Sequence, residues 1–167
     1  MMIPTITTER LILRAPMESD FPAMRDFYAS AQSEPIGGPL EPRDAWRRFM
    51  GALGHWALRG YGFWTVALKG TNTPIGNVGI LNSLGWDEPE LGWHLYGAHT
   101  GQNYAFEAAT AARAYAPTFG LDGLISYIMH DNTRSRHLAE RLGAVVEREG
   151  EVVGLPCLVY RHPKVGG

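Results

Sequence analysis

The stretch from Pro89 to Gly143 constrains this chain more than any other. It reads as a strand (ELGWHLY), a small-residue loop (GAHTGQN), an alanine-rich helix, a second strand (GLISYIMH) and a helix introduced by Asn132. A strand that passes through a short loop directly into a helix leaves the first main-chain N–H groups of that helix without intrahelical acceptors. Those groups sit at the positive end of the helix dipole and make a site for an anion. Phosphate binding is therefore the first functional expectation. The intervening helix is a crossover connection, so the two strands are expected to lie parallel and adjacent.

The remaining elements follow from periodicity. Thr8 to Arg14 alternates Leu11 and Leu13 with Arg10, Ile12 and Arg14, as an opening strand does. Ser19 or Asp20 is placed to cap a helix with Pro22 in its first turn and Phe21, Met24, Phe27 and Tyr28 at helical spacing. IGGPLEP is a break. Trp46, Phe49, Met50, Leu53 and Trp56 mark a second amphipathic helix from Arg43 to about Arg59, closed by Gly60. GFWTVALK and IGNVGILN, joined by GTNTP, form an antiparallel hairpin, and AVVERE and VVGLPCLVYR form another, with its turn expected at Glu149-Gly150. The fold class is α/β in the α+β sense. A mixed, mostly antiparallel sheet of six to seven strands is flanked by about four helices.

Composition narrows the partners. The 167 residues suit a single domain over 1–167 with one core. Fifteen Lys and Arg against 17 Asp and Glu, with no basic run, give no electrostatic footprint for nucleic acid. A lone Cys157, an N-terminus (MMIPTITTER) without an apolar signal core and no membrane-length apolar stretch lead to the expectation of a cytoplasmic protein with no membrane partner.

The element order, with EPELGWHLY, TGQNYAFEA and DNTRSRHLAERLGA, resembles the GNAT superfamily of acetyl-CoA-dependent N-acetyltransferases, and within it the RimJ/RimL-like branch that acetylates ribosomal-protein N-termini. The opening TERLILR, the GGP break and IGNVGI extend the resemblance over nearly the whole chain. It implies a sheet splayed after its fourth strand, acetyl-CoA as cosubstrate and no metal. It also implies that Thr100, Gly101, Gln102, Asn103, Tyr104 and Ala105 form the pyrophosphate loop. The family's usual Gln or Arg is Thr100 here, and an inner Gly is Asn103. Asn tolerates positive φ better than other non-glycine residues, so the loop is expected to keep its shape. Glu107, in the first helical turn, is expected to face away from the anion.

Acetyl transfer to nitrogen needs a neutral amine, so a base must collect a proton. On a strand, Glu90 points the same way as Gly92, His94 and Tyr96, opposite to Leu91, Trp93 and Leu95. Glu90 is the first candidate base and His94 the second; a solvated carboxylate and a packed imidazole are their structural alternatives. The resemblance implies an oxyanion donor among the N–H groups of Trp93, His94 or Leu95. It places Ala139 where many members carry an acidic Tyr, leaving Ser135 as the group for the departing sulfur. Asn132 would reach the pantetheine arm as well as cap the last helix, and Arg136 would contact a phosphate.

Asp87, Glu88 and Glu90 lend the acceptor rim a negative character, which favours an amine acceptor: a protein N-terminus or a small molecule. A monomer or a homodimer serves equally. Thr100, Asn103 and Ala139 also fit a second class, a non-catalytic acyl-CoA-binding or interaction domain. A nucleotide-binding enzyme is set aside, since neither GxGxxG nor GxxxxGK[ST] follows a strand.

Overall fold

A computed structural model describes residues 2–165. The chain runs β1 (Ile6–Thr7), β2 (Leu11–Arg14), α1 (Phe21–Ala29), α2 (Pro42–Arg59), β3 (Phe63–Leu68), β4 (Pro74–Leu81), β5 (Glu90–Leu95), α3 (Tyr104–Tyr115), β6 (Ile125–Ile128), α4 (Thr133–Arg141), β7 (Val145–Val152) and β8 (Leu155–Arg161). All eight strands join one sheet in the order β1-β2-β3-β4-β5-β6-β8-β7. Among the described residues only β5 and β6 are parallel neighbours, as the crossover through α3 requires.

Helices cover both faces. Ala108, Ala109 and Ala112 of α3 are buried against Leu11, Leu13, Val66, Val78, Ile80 and Leu91. Their small side chains let the helix axis lie close to the strands. On the opposite face α1 and α2 bury Met24, Phe27, Tyr28, Ala45 and Phe49 with Tyr96 of the sheet. The alternation read along β5 is thus realised: Leu91, Trp93 and Leu95 pack in the core on the α3 side, and Tyr96 packs against α1 and α2.

Three local expectations are corrected. The eighth strand is the two-residue β1, too short to leave a pattern in sequence. Asp20 precedes α1 without capping it: its carboxylate takes a bidentate bond from Arg14 at 2.8 Å and one from Thr65 Oγ1 at 3.0 Å. The last hairpin turns at Val153-Gly154, both at positive φ (47° and 78°), as in a type I′ turn. Glu149-Gly150 instead lies inside β7, where a Cβ on Gly150 would come within 2.7 Å of Val159 Cγ2.

One polar chain crosses the core beneath β5. Arg113 Nη1 donates to Leu142 O and approaches His162 Nδ1 at 3.4 Å; His162 Nε2 lies 2.9 Å from Ser126 Oγ, which donates to Leu91 O at 2.5 Å. Arginine only donates, so Nδ1 accepts and Nε2 carries the proton toward Ser126. Burial, with the Arg113 charge, pushes the His162 pKa down to about 4. Between pH 6.5 and 4 the unfolded chain therefore binds a proton here that the folded chain does not, and stability is lost as pH falls. Melting temperatures measured from pH 4 to 7 should show a shallower acid decline for His162→Gln than for the parent.

Candidate active site

The sheet opens next to Glu90. β5 and β6 pair at a single register point, Glu90 with Ile125. At that apex side chains replace the ladder: Ser126 Oγ bonds Leu91 O, and the Tyr127 N–H donates to Glu90 Oε2 at 3.1 Å. Further along β5 the two strands part.

Main-chain direction alternates along a strand. The Tyr96 N–H donates to Ile75 O at 2.8 Å, so Gly92, His94 and Tyr96 turn their amides toward β4, while Trp93 and Leu95 turn theirs into the gap. An extended ligand lying there would find a free strand edge. The same alternation removes the His94 N–H from the candidate oxyanion donors.

At the far end of this edge stands the loop into α3. Gly101 (φ 79°) and Asn103 (φ 68°) both adopt left-handed backbone. From Gly101 to Phe106 no main-chain N–H has an acceptor among the described residues; the first i to i+4 bond of the helix is Glu107 N–H to Asn103 O. Thr100 is not part of this row, because its N–H and its hydroxyl both turn back to Gly97 O.

Two arginines unsuspected from sequence flank the loop. Arg141 Nη2 bonds Asn103 Oδ1 at 2.8 Å with its guanidinium over Phe106, and Arg10 lies over Tyr104 and bonds Gln102 O. Glu107 faces away, holding the Thr8 hydroxyl and the Arg10 N–H and Nε. An array of free N–H groups bordered by cations fits a diphosphate.

A cavity of about 880 Å³ adjoins the gap. Glu90, Trp93, His94, Asn132 and Ser135 all line it, together with residues from α1, α2 and the turn before α2. Glu90 is half-buried and accepts from Trp86 Nε1 at 2.9 Å as well as from Tyr127. Desolvation outweighs those two bonds and raises its pKa to about 7. Each carboxylate oxygen keeps a second lone pair, so a group poised to exchange a proton near neutrality faces the cavity.

His94 is different. It stacks on Phe27 at 5.2 Å, its Nε2 lies 3.1 Å from Asn77 Oδ1, and burial with the nearby Arg48 charge lowers its pKa to about 3. Asn77 Oδ1 also accepts from Tyr96 OH while its Nδ2 donates to Trp64 O, so His94 is a neutral Nε2–H donor. An imidazole so hard to protonate argues against His94, and for Glu90, as the base.

The start of α4 completes the wall. Asn132 caps the helix through Oδ1 to the Ser135 N–H at 3.3 Å, and its amide nitrogen has no partner among the described residues. The Ser135 hydroxyl makes no hydrogen bond among the described residues. Arg136 is directed elsewhere, to Tyr160 OH and His130 O, and is not a cavity residue. Ala139 is fully buried among Ile128, Ala144, Leu158 and Tyr160.

The acidic rim is largely neutralised. Glu88 pairs with Arg161 at 2.8 Å and with Arg148 at 3.6 Å, and Asp87 lies 3.5 Å from Arg148. These arginines hold the Glu88 carboxyl below its ordinary range. Among the described residues no cluster of His, Cys, Asp and Glu is arranged to hold a metal ion, and no helix is long and apolar enough to cross a membrane.

A family model described as an acetyltransferase (GNAT) domain matches residues 10–145. The chain belongs to this acetyltransferase family. An acetyltransferase from Agrobacterium tumefaciens is 40% identical, with a TM-score of 0.90 over 97% of this chain and 95% of that one. RimL, a ribosomal alpha-N-protein acetyltransferase solved with coenzyme A, superposes with a TM-score of 0.80 at 17% identity, over 98% of this chain and 100% of its own. An acetyl transferase from Salmonella typhimurium that modifies the N-terminal serine of a 50S ribosomal subunit protein gives 0.76 at 18% identity, over 95% of this chain and 97% of that one. The last two likenesses are of fold. In this GNAT chain the splay, the open loop and the titratable carboxyl occur together.

Proposed function

We propose that this acetyltransferase is an N-acetyltransferase that carries an acetyl group from acetyl-CoA to a primary amine by direct attack of the neutral amine on the thioester. The observation that carries this reading is Glu90: a carboxyl with pKa near 7 at the apex of the splay, facing the cavity. Bound acetyl-CoA supplies the activated acyl carbon and the thiol leaving group. The N–H groups from Gly101 to Phe106, with Arg141 beside them, would hold its diphosphate. The gap-facing N–H groups of Trp93 and Leu95 are the available donors for the extended arm and for the carbonyl oxygen as charge develops on it.

Glu90 takes the proton of the incoming ammonium. From an α-amino group, with a pKa of about 8, the transfer is uphill by roughly one unit; from a lysine-type amine near 10.4 it is uphill by more than three. This favours α-amines, a protein N-terminus among them. The Ser135 hydroxyl is free to hydrogen-bond the departing sulfur, a part Ala139 cannot take.

The test is release of coenzyme A, followed by thiol detection, over a panel of amines. Rates should rise with pH through about 7. Ser135→Ala should lower kcat about tenfold, the loss of one hydrogen bond of about 1.5 kcal/mol to the departing sulfur. Acetyl-CoA binding without turnover of any amine would instead favour a non-catalytic acyl-CoA-binding domain, the reading that the buried Ala139 supports.

A further inference from the structure

Two arginines line the cavity, Arg134 at the start of α4 and Arg48 on the side of α1 and α2, and Arg48 has no ion-pair partner among the described residues. Arg48 of α2 lines the cavity and is held in place from two sides: Nη1 donates to Ile36 O at 2.6 Å, and the guanidinium lies 5.0 Å from the centre of the Tyr28 ring. Gly37, at φ 93°, lies close enough that a Cβ there would be 3.3 Å from Nη2. The Tyr28 hydroxyl is also within hydrogen-bonding reach of the guanidinium, but no carboxylate pairs with Arg48 among the described residues. Glu34 lines the same region but lies beyond ion-pair distance of Arg48.

Of the other ionisable groups that line the cavity, Asp131 and Arg134 lie at the start of α4, and, Glu34 apart, those beside α1 and α2 are already engaged. Asp20 is satisfied by Arg14. His94 is uncharged, and His55 is occupied on both nitrogens, by Tyr61 O and the Asn82 N–H. Met24, Phe49 and Phe63 give the cavity an apolar wall, and the polar Thr65, Asn77 and His94 that also line it are already hydrogen-bonded to their neighbours. Gly92 makes room for the Phe63 ring, since a Cβ there would lie 2.8 Å from Phe63 Cζ.

We propose that Arg48 is a specificity residue that binds a carboxylate, so that the acceptor is an amine carrying an anionic end across an apolar body. A planar guanidinium fixed by one main-chain carbonyl and one ring keeps its remaining donors in a fork matched to a carboxylate. A free amino acid or a short peptide with a free C-terminus has that chemistry, and a polyamine does not. Acetyl transfer enters only in assigning the amine to the Glu90 end.

The binding test needs no turnover. Isothermal titration would compare N-acetylphenylalanine and N-acetylglycylphenylalanine with their C-terminal amides, against the parent, Arg48→Gln and Arg48→Lys. At least one acid should bind the parent tenfold or more tighter than its amide. Arg48→Gln should bring that ratio near one, and Arg48→Lys should retain part of it. Arg47→Gln, an exposed change on the same helix, should leave the ratio as in the parent. Equal binding of acid and amide by the parent, for both lengths, overturns the proposal, as does a ratio that survives in Arg48→Gln. Should Arg48→Gln fail to fold, the parent's ratio and that of Arg48→Lys decide. Failure of acetyl transfer is read separately, as absent thiol release with every amine.

Discussion

Glu90→Gln is expected to slow turnover by roughly 100- to 1000-fold at pH 8, the range a positioned general base contributes, and at the same pH to make the protein more stable. Both results follow from one fact: burial holds this carboxyl at a pKa of about 7. The ionised form that takes the proton is also the form the fold tolerates least. The folded pKa lies above the unfolded one, so the folded chain binds the extra proton between pH 4.5 and 7. Stability from this group is full below about 4.5 and is lost as pH rises through 7. At pH 8 the burden is roughly 3 kcal/mol, from about 1.4 kcal/mol per pKa unit. Glutamine removes it but accepts through one oxygen only, so one of the bonds from Trp86 and Tyr127 is lost, at about 1 kcal/mol. A net gain of about 2 kcal/mol should appear as a higher melting temperature at pH 8 and vanish by pH 5. Unchanged activity from pH 6 to 9 would remove Glu90 as the base; unchanged stability would mean its carboxyl is less desolvated than the fold implies.

The pH response of the whole protein then sums opposing contributions. His94 and His162, both held neutral by burial, lose stability as pH falls below about 6.5, whereas Glu90 loses it as pH rises toward 7. Glu90→Gln should therefore steepen the acid side of the stability curve while flattening its neutral side.

What was legible in the sequence was what strand and helix periods carry locally. A period of two placed Glu90 on the opposite side of β5 from Leu91 and Trp93, and asparagine's tolerance of positive φ foretold the backbone at Asn103. What stayed hidden depends on neighbours remote in the chain. Whether His94 titrates is decided by Phe27 stacked on it and by Asn77 paired opposite it on β4, and nothing in ELGWHLY reports either. The acidity of Asp87 and Glu88 was plain, but the arginines that cancel it arrive from β7 and β8 at the other side of β6. Likewise Arg10 and Arg141 come to the α3 loop from β2's approach and the end of α4, whereas Arg136, nearer the motif, turns to Tyr160 and His130. Backbone conformation follows local residue type, whereas charge and titration follow tertiary packing.

The loop itself admits a test in which binding and stability move in opposite directions. Asn103→Asp changes no heavy-atom volume and keeps a residue that tolerates φ 68°. It sets a carboxylate beside the free N–H groups from Gly101 to Phe106 and within reach of Arg141, which already bonds Asn103 Oδ1. In the ligand-free protein a negative charge at the N-terminus of α3 is favourable by about 0.3 to 1 kcal/mol, and pairing with Arg141 adds a charge-assisted bond. The melting temperature should rise slightly. A diphosphate approaching the same N–H groups now meets a like charge and an occupied arginine. Losing or opposing one charge-assisted contact costs about 1.5 to 3 kcal/mol, so the Kd for coenzyme A should increase by roughly 10- to 100-fold, more at low salt than at high. Asn103→Gly, which frees Arg141 and relaxes the backbone, should bind coenzyme A within a few-fold of the parent. If Asn103→Asp binds coenzyme A as well as the parent does at low salt, the diphosphate does not rest on this turn, and the open amides at the head of α3 serve some other anion.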